Sequence, residues 1–172
     1  MTPAEYVELV VLPTVRDFME KADDRRLAYL SAIAAYHITD YLMRAAQPPT
    51  RSAADAELKR IREMLRYDLV EFYDVIEGLA NGAKHCGRDA KRGARFTPGD
   101  EKYVPPFGFG EGFGGFDQGR WDGPGLLVTT GDKRIFVDTA LAYFLLGSAR
   151  LFPDHIPPIS PFDWKPERAE KG

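Results

Sequence analysis

The stretch RRLAYLSAIAAYHITDYLM, Arg25 to Met43, decides the class of fold. An apolar stripe runs through Leu27, Leu30, Ile33, Ala34, Ile38 and Tyr41, with His37 among them, at spacings of three and four. That period places them on one side of an α-helix and does not suit the alternation of a strand. Asp23 or Asp24 is positioned to cap the helix start, and Gln47-Pro48-Pro49 ends it.

Outward from this helix the same period recurs. Towards the N-terminus, Thr2 and Glu5 form a T-x-x-E capping box with Pro3 at the first helical position. Tyr6, Leu9 and Val10 give that helix an apolar side, and Pro13 is expected to kink or restart it before Val15, Phe18 and Met19. Towards the C-terminus, Ser52 is expected to cap the longest helix. Leu58, Ile61, Leu65, Leu69, Phe72, Ile76, Leu79 and Ala83 mark one face of it over about seven turns, with Gly87 as its C-terminal glycine. A polar run from Arg88 to Arg95 and a Pro- and Gly-rich region to Gly125 follow. Next, LLVTT and RIFV flank Gly131-Asp132, which reads as a hairpin over 126–137. Asp138 or Thr139 then caps a final helix, ALAYFLLGSARLF, apolar on most sides and so destined for the interior. The expectation is a mainly α protein: a four- to five-helix bundle with a small β-hairpin inserted before its last helix. Residues 1–152 form one domain, and the tail from Pro153, with five prolines, is extended or disordered.

Bulk composition narrows the function. A chain of 172 residues is long enough for one domain with a real core, and 44% hydrophobic with 28% charged residues is ordinary for a soluble protein. A net charge of −3 argues against a nucleic-acid binder working by bulk charge. The single cysteine, Cys86, excludes an internal disulfide and fits a reducing cytosol. Glu5 and Glu8 stand where a signal peptide needs a basic and then an apolar run, and no stretch approaches the ~18 apolar residues of a membrane span. A cytoplasmic protein without membrane contact is expected.

The segment FGFGEGFGGFDQGRWDGPG, Phe107 to Gly125, contains Gly110, Gly112 and Gly115 in G-x-G-x-x-G spacing. A phosphate cradle needs a strand before those glycines and a helix after them. Pro105-Pro106 precede them here, and Asp117, Gly119, Gly123 and Pro124 follow, so no helix starts at Gly115. Phe107, Phe109, Phe113, Phe116 and Trp121 carry too much apolar area to stay solvated together. The loop over 105–125 is therefore expected to lie across the bundle, either as a structural lid or as the place where a protein partner or small ligand meets Phe109, Glu111, Phe113 and Trp121.

Two polar constellations remain. His37 and Asp40, three apart on one helix, share a side and suit a general base with its carboxylate, as in a small hydrolase; a core histidine bonded to a neighbour is the plainer account. Lys84 and His85 close the third helix on the side of Asp74, Gly78 and Asn81, expected to be polar, and favour its C-terminal dipole. With Arg88, Lys91, Arg92 and Arg95 they make one basic cluster, where RNA, a nucleotide or another phosphate-bearing ligand would bind if anywhere (84–95), with Asn81 and Arg88 and Arg92 as contacts. The histidines and the cysteine lack zinc-site spacing, and neither metal nor cofactor is expected.

AAYHITDYL, ANGAKHC and FGEGFG followed by a hairpin and an apolar helix resemble a group of uncharacterised bacterial proteins. Those carry A-x-H-x-x-D, K-H and a W-G-x-G-x-W-G-like loop in this order. The resemblance spans roughly residues 5–150 and implies a common fold without an activity. More distantly, long helices ending in a polar motif and histidine are similar to HEPN domains, many of which are metal-independent ribonucleases of toxin and antiphage systems. In their pattern an arginine precedes the histidine by four to six residues. His85 matches the histidine, Asn81 stands for the polar residue and Lys84 supplies charge, while Ile76 to Ala83 hold no arginine. By that analogy a homodimer is expected. The first functional expectation is a non-catalytic binding module, the second a HEPN-like ribonuclease or RNA-binding protein, the third a hydrolase on His37 and Asp40.

Overall fold

A computed structural model describes residues 1–84, 101–107, 112, 114, 119–120, 123–130 and 132–160. It is mainly helical, with a small antiparallel sheet before the last helix. The elements run α1 (Pro3–Tyr6), a π turn (Val7–Val11), α2 (Leu12–Glu20), α3 (Arg25–Ala45), α4 (Arg51–Leu69), α5 (Glu71–Lys84), β1 (Lys102–Val104), β2 (Gly125–Thr130), β3 (Lys133–Phe136) and α6 (Val137–Leu151).

The first helix opens with the expected capping box: the Glu5 N–H donates to Thr2 Oγ1 at 3.2 Å and the Thr2 N–H donates to Glu5 Oε2 at 2.7 Å. Pro13 cannot donate a backbone bond. The five-residue π turn just before it takes up that loss, and the chain resumes as α2 with proline in its first turn.

The central helix is α3, which touches α1, the π turn, α2, α4, α5 and α6. Asp24 caps it by accepting from the Leu27 N–H at 3.0 Å. Its inward face matches the expected one in part, with Leu27, Ala34 and Ile38 buried. Ala28, Ser31, Ala32, Ala35, Ile38, Thr39 and Leu42 are buried, whereas Leu30 is exposed and Ile33, His37 and Tyr41 lie half-buried at the rim. Small side chains win the interior because they let neighbouring helices approach closely.

The expected single third helix is two helices. Its cap is Thr50, not Ser52: Thr50 Oγ1 accepts from the Ala53 N–H at 3.1 Å. The chain breaks at Val70, whose backbone sits at φ 45 and ψ −111. An unbroken helix over 51–84 would run about 50 Å, well beyond the span of a 172-residue domain with a radius of gyration of roughly 16 Å. Breaking it returns α5 to pack against α3 and α6. Tyr73, Val75, Ile76, Leu79 and Ala80 are then buried. Gly78 is buried too, so the side expected to be polar is not solvated throughout. Leu69, the last residue of α4, fills the space left by Gly147 on α6: a Cβ built there would lie 2.4 Å from Leu69 Cδ2.

The hairpin gains a third strand. β1 pairs with β2 (Tyr103 opposite Leu126) and β2 with β3 (Val128 opposite Ile135), both antiparallel. Thr130 faces Lys133, as a two-residue turn requires. The last helix starts earlier than expected. Extended Phe136 is its N-cap without a side-chain bond, because β3 passes directly into α6. Asp138 sits inside the first turn, where its charge suits the helix dipole. Past α6 the tail is not loose as far as Ser160. His155 and Ile156 both donate backbone N–H bonds to the Phe152 carbonyl, and Ile156 and Ile159 are buried.

A β-branched residue at positive φ is strained by ~1–3 kcal/mol. Val70→Gly is expected to relieve most of that strain against the ~0.5–1 kcal/mol entropy cost of glycine. The thermal midpoint should rise by about 2–4 °C. A lower midpoint in calorimetry would show that contacts of the Val70 side chain outweigh the strain.

Candidate functional site

His37 and Asp40 do share a side. His37 Nδ1 lies 4.0 Å from Asp40 Oδ2, an ionic contact only when the imidazole is protonated. Asp40 does not serve His37 alone, for its Oδ1 is 3.6 Å from Arg62 on α4. Both side chains are about one-third exposed, so His37 is not fully enclosed in the core as the plainer account expected. The buried serines are committed elsewhere: Ser31 donates to the Thr14 carbonyl and Ser148 to the Phe144 carbonyl.

Arg62 leads inward, its guanidinium 4.8 Å from the centre of the Tyr36 ring. Behind it lies a polar seam between α3, α4 and α5 that no sequence motif announced. Tyr36 Oη donates to Glu77 Oε1 at 3.0 Å, and Tyr73 Oη approaches the same oxygen at 3.5 Å. Arg66 donates to Glu77 Oε2, reaches Asp74 at 3.6 Å, and stacks over Tyr73 at 4.9 Å. Arg66 thus ties the end of α4 to the first turns of α5 across the Val70 break. Burial, then the negative Glu77, pushes the Tyr36 phenol up to about 12. Burial does the same more strongly to Tyr73. Tyr6, stacked on Tyr41 with ring centres 3.9 Å apart, is pushed up to about 12, again chiefly by burial.

A second feature lies at the Val70 corner. A cavity of about 490 Å³ is lined by Leu69, Val70, Phe72, Tyr143, Leu146 and Gly147. Phe72 and Tyr143 stack with ring centres 4.4 Å apart and planes 4° apart. Tyr143 is 51% exposed, Val70 54% and neighbouring Tyr67 89%, so apolar surface is open to solvent there. Charged pairs bound it: Arg150 with Asp68, and Lys133 with Glu71 at 2.8 Å.

The stem of the glycine–aromatic loop is closed. The Phe107 N–H donates to the Arg120 carbonyl at 2.8 Å, and the Arg120 N–H donates to the Pro105 carbonyl at 2.9 Å. Arg120 also pairs with Asp138 at 2.6 Å and lies 4.3 Å from the centre of the Phe136 ring. Phe109, Glu111, Phe113 and Trp121 lie outside the described residues, as do His85, Cys86, Gly87, Arg88 and Arg92. Asn81 is half-buried near the end of α5, and Lys84 is its last residue.

Among the described residues no three His, Cys, Asp or Glu side chains gather as a metal-ligand set, and no helix is long and apolar enough to cross a membrane. Comparison of the chain with protein-family models, curated proteins and solved structures finds no match in any of the three.

The raised phenols give a signed pH dependence. A group whose folded pKa exceeds its ordinary value of ~10 stabilises the fold fully below pH ~10, and that contribution is lost as pH rises towards ~12. The thermal midpoint should therefore fall across this interval, with tyrosinate absorbance from Tyr6, Tyr36 and Tyr73 arriving only with unfolding. Tyr36→Phe should cost ~1–2 kcal/mol at neutral pH by taking a donor from Glu77, and should make the alkaline decline shallower. An unchanged slope would remove Tyr36 from the account.

Proposed function

We propose that this chain is a non-catalytic interaction module and that its contact surface is the aromatic groove at the α4–α5 corner. One observation carries this: Val70 holds a strained backbone while presenting an apolar side chain to water, beside the half-exposed Phe72–Tyr143 stack. Folding alone would favour glycine at such a corner and polar residues around it. Strain and exposed aromatic area together are costly, and a partner that covers them supplies the compensation. The polar seam does not compete as a site, because Tyr36, Tyr73 and Glu77 satisfy one another between packed helices.

The glycine–aromatic loop is a second contact on the same view. Its support is the closed stem, since binding residues commonly sit on loops whose ends a rigid scaffold holds together.

The test is a peptide-display selection on the purified full chain. Selected peptides with apolar anchors are expected to bind at least tenfold more weakly to Tyr143→Ala and to Val70→Glu, both at solvent-facing positions. Ligands indifferent to both substitutions would place binding elsewhere and overturn the proposal. Purified chain incubated with total RNA beside His85→Ala is expected to cleave in neither case. Cleavage by the native chain that the variant loses would replace the module with the ribonuclease alternative.

A further inference from the structure

We infer that the groove is latched by Arg66, which makes that arginine a positioning residue for the contact surface; the inference rests on the interaction role proposed above. The corner beneath the groove has a competing conformation. Leu58, Ile61, Leu65, Leu69, Phe72 and Ile76 keep helical spacing straight through residue 70, and Arg66 to Glu71 hold no glycine or proline. Nothing in that stretch stops a helix, yet Val70 stands at φ 45 and ψ −111. A backbone so strained persists only where its surroundings over-determine it.

Two contacts hold it there. Leu69 is seated against Gly147 of α6, and Arg66 grips α5 from the other side of the break. The Arg66 carbonyl accepts from the Val70 N–H at 2.9 Å, and its guanidinium donates to Glu77, reaches Asp74 at 3.6 Å and lies 4.9 Å from the centre of the Tyr73 ring. The Asp74 N–H closes the far side of the corner by donating to the Val70 carbonyl at 3.3 Å. Leu69, Val70 and Phe72 supply one wall of the groove, while Tyr143, Leu146 and Gly147 supply the other. When the first turn of α5 leaves its place, Phe72 therefore parts from Tyr143 and the groove is lost. Strain at Val70 favours that opening and the Arg66 guanidinium opposes it. Leu69 is buried, whereas the Arg66 side chain is 50% exposed, so the latch can be altered without emptying the core. A partner that binds only the latched form sees its affinity reduced by the fraction of chains that are open.

Native-state amide exchange on the full chain tests this without any ligand. Arg66→Gln is expected to raise the opening constant at the Asp74 amide about tenfold and to leave the amide of buried Ile38 on α3 unchanged. Arg62→Gln, one turn earlier on α4, should change neither, because its ion pair and its ring contact are both with α3. Val70→Gly removes the strain, so adding it to Arg66→Gln should bring the Asp74 amide back close to its native rate. A purely structural loss would instead speed exchange in α3 and α5 together. Native exchange at Asp74 in Arg66→Gln would overturn the inference, and so would a failure of Val70→Gly to restore it. Peptides that depend on Tyr143 should bind Arg66→Gln about fivefold more weakly or worse. Peptides that need Tyr143 but ignore Arg66→Gln would overturn the positioning role and leave the groove as the contact surface. A chain that selects no peptide dependent on Tyr143 would overturn the interaction role and, with it, what Arg66 positions.

Discussion

Leu69 seated in the notch of Gly147 is the contact on which the arrangement of this protein turns. α6 can approach the end of α4 this closely because its residue there has no side chain, and the chain changes direction immediately after, at Val70. Val70 makes the reversal in a backbone conformation that valine adopts at a cost. Once made, the reversal inserts α5 between α3 and α6 and buries Tyr73, Ile76 and Leu79. The burial of those side chains, ~1.5–3 kcal/mol each for the larger aliphatic ones, exceeds the local strain.

The polar seam is the other half of this device. A helix break usually weakens the register between its two halves, but Arg66 spans this one, bonding to Glu77 and Asp74 while covering Tyr73. Glu77 in turn accepts from Tyr36 on α3. Three helices are thereby fixed by directional bonds in addition to packing, which is non-directional and tolerates sliding. His37, Asp40 and Arg62 continue the line of charge to the surface. They tie α3 to α4, with the Asp40 carboxylate set between His37 and Arg62.

Much of the fold was legible in local chemistry. The Thr2 box, the Asp24 cap, the Gln47-Pro48-Pro49 stop and the turn before Lys133 follow from propensities that act within a few residues. The break at Val70 was hidden because the apolar spacing through Leu65, Leu69, Phe72 and Ile76 continues without interruption. One signal did mark it: Arg66 ends a helix and Glu71 and Asp74 begin another, the charge order that two separate dipoles prefer. The inner face of α3 was read only in part: Leu27, Ala34 and Ile38 are buried, but Leu30, Ile33 and Tyr41 were weighted above Ala28, Ala32 and Ala35, which close packing favours. The groove could not be seen at all in the sequence, since Phe72 and Tyr143 are 71 positions apart and meet only through the packing of α5 and α6.

Arg120 has a consequence for how this protein can vary. Its backbone closes the loop stem against Pro105 and Phe107, and its side chain is held by Asp138 and by the Phe136 ring. A Cβ at Gly125 would come 2.6 Å from its guanidinium, so a larger residue there would have to displace the Arg120 side chain. The stem is thus held by a handful of atoms at Pro105, Phe107 and Arg120. Lengthening the chain it closes adds only a slowly growing, logarithmic closure entropy. Insertions and deletions between Phe107 and Arg120 can therefore accumulate in descendants of this sequence while the stem keeps its bonds.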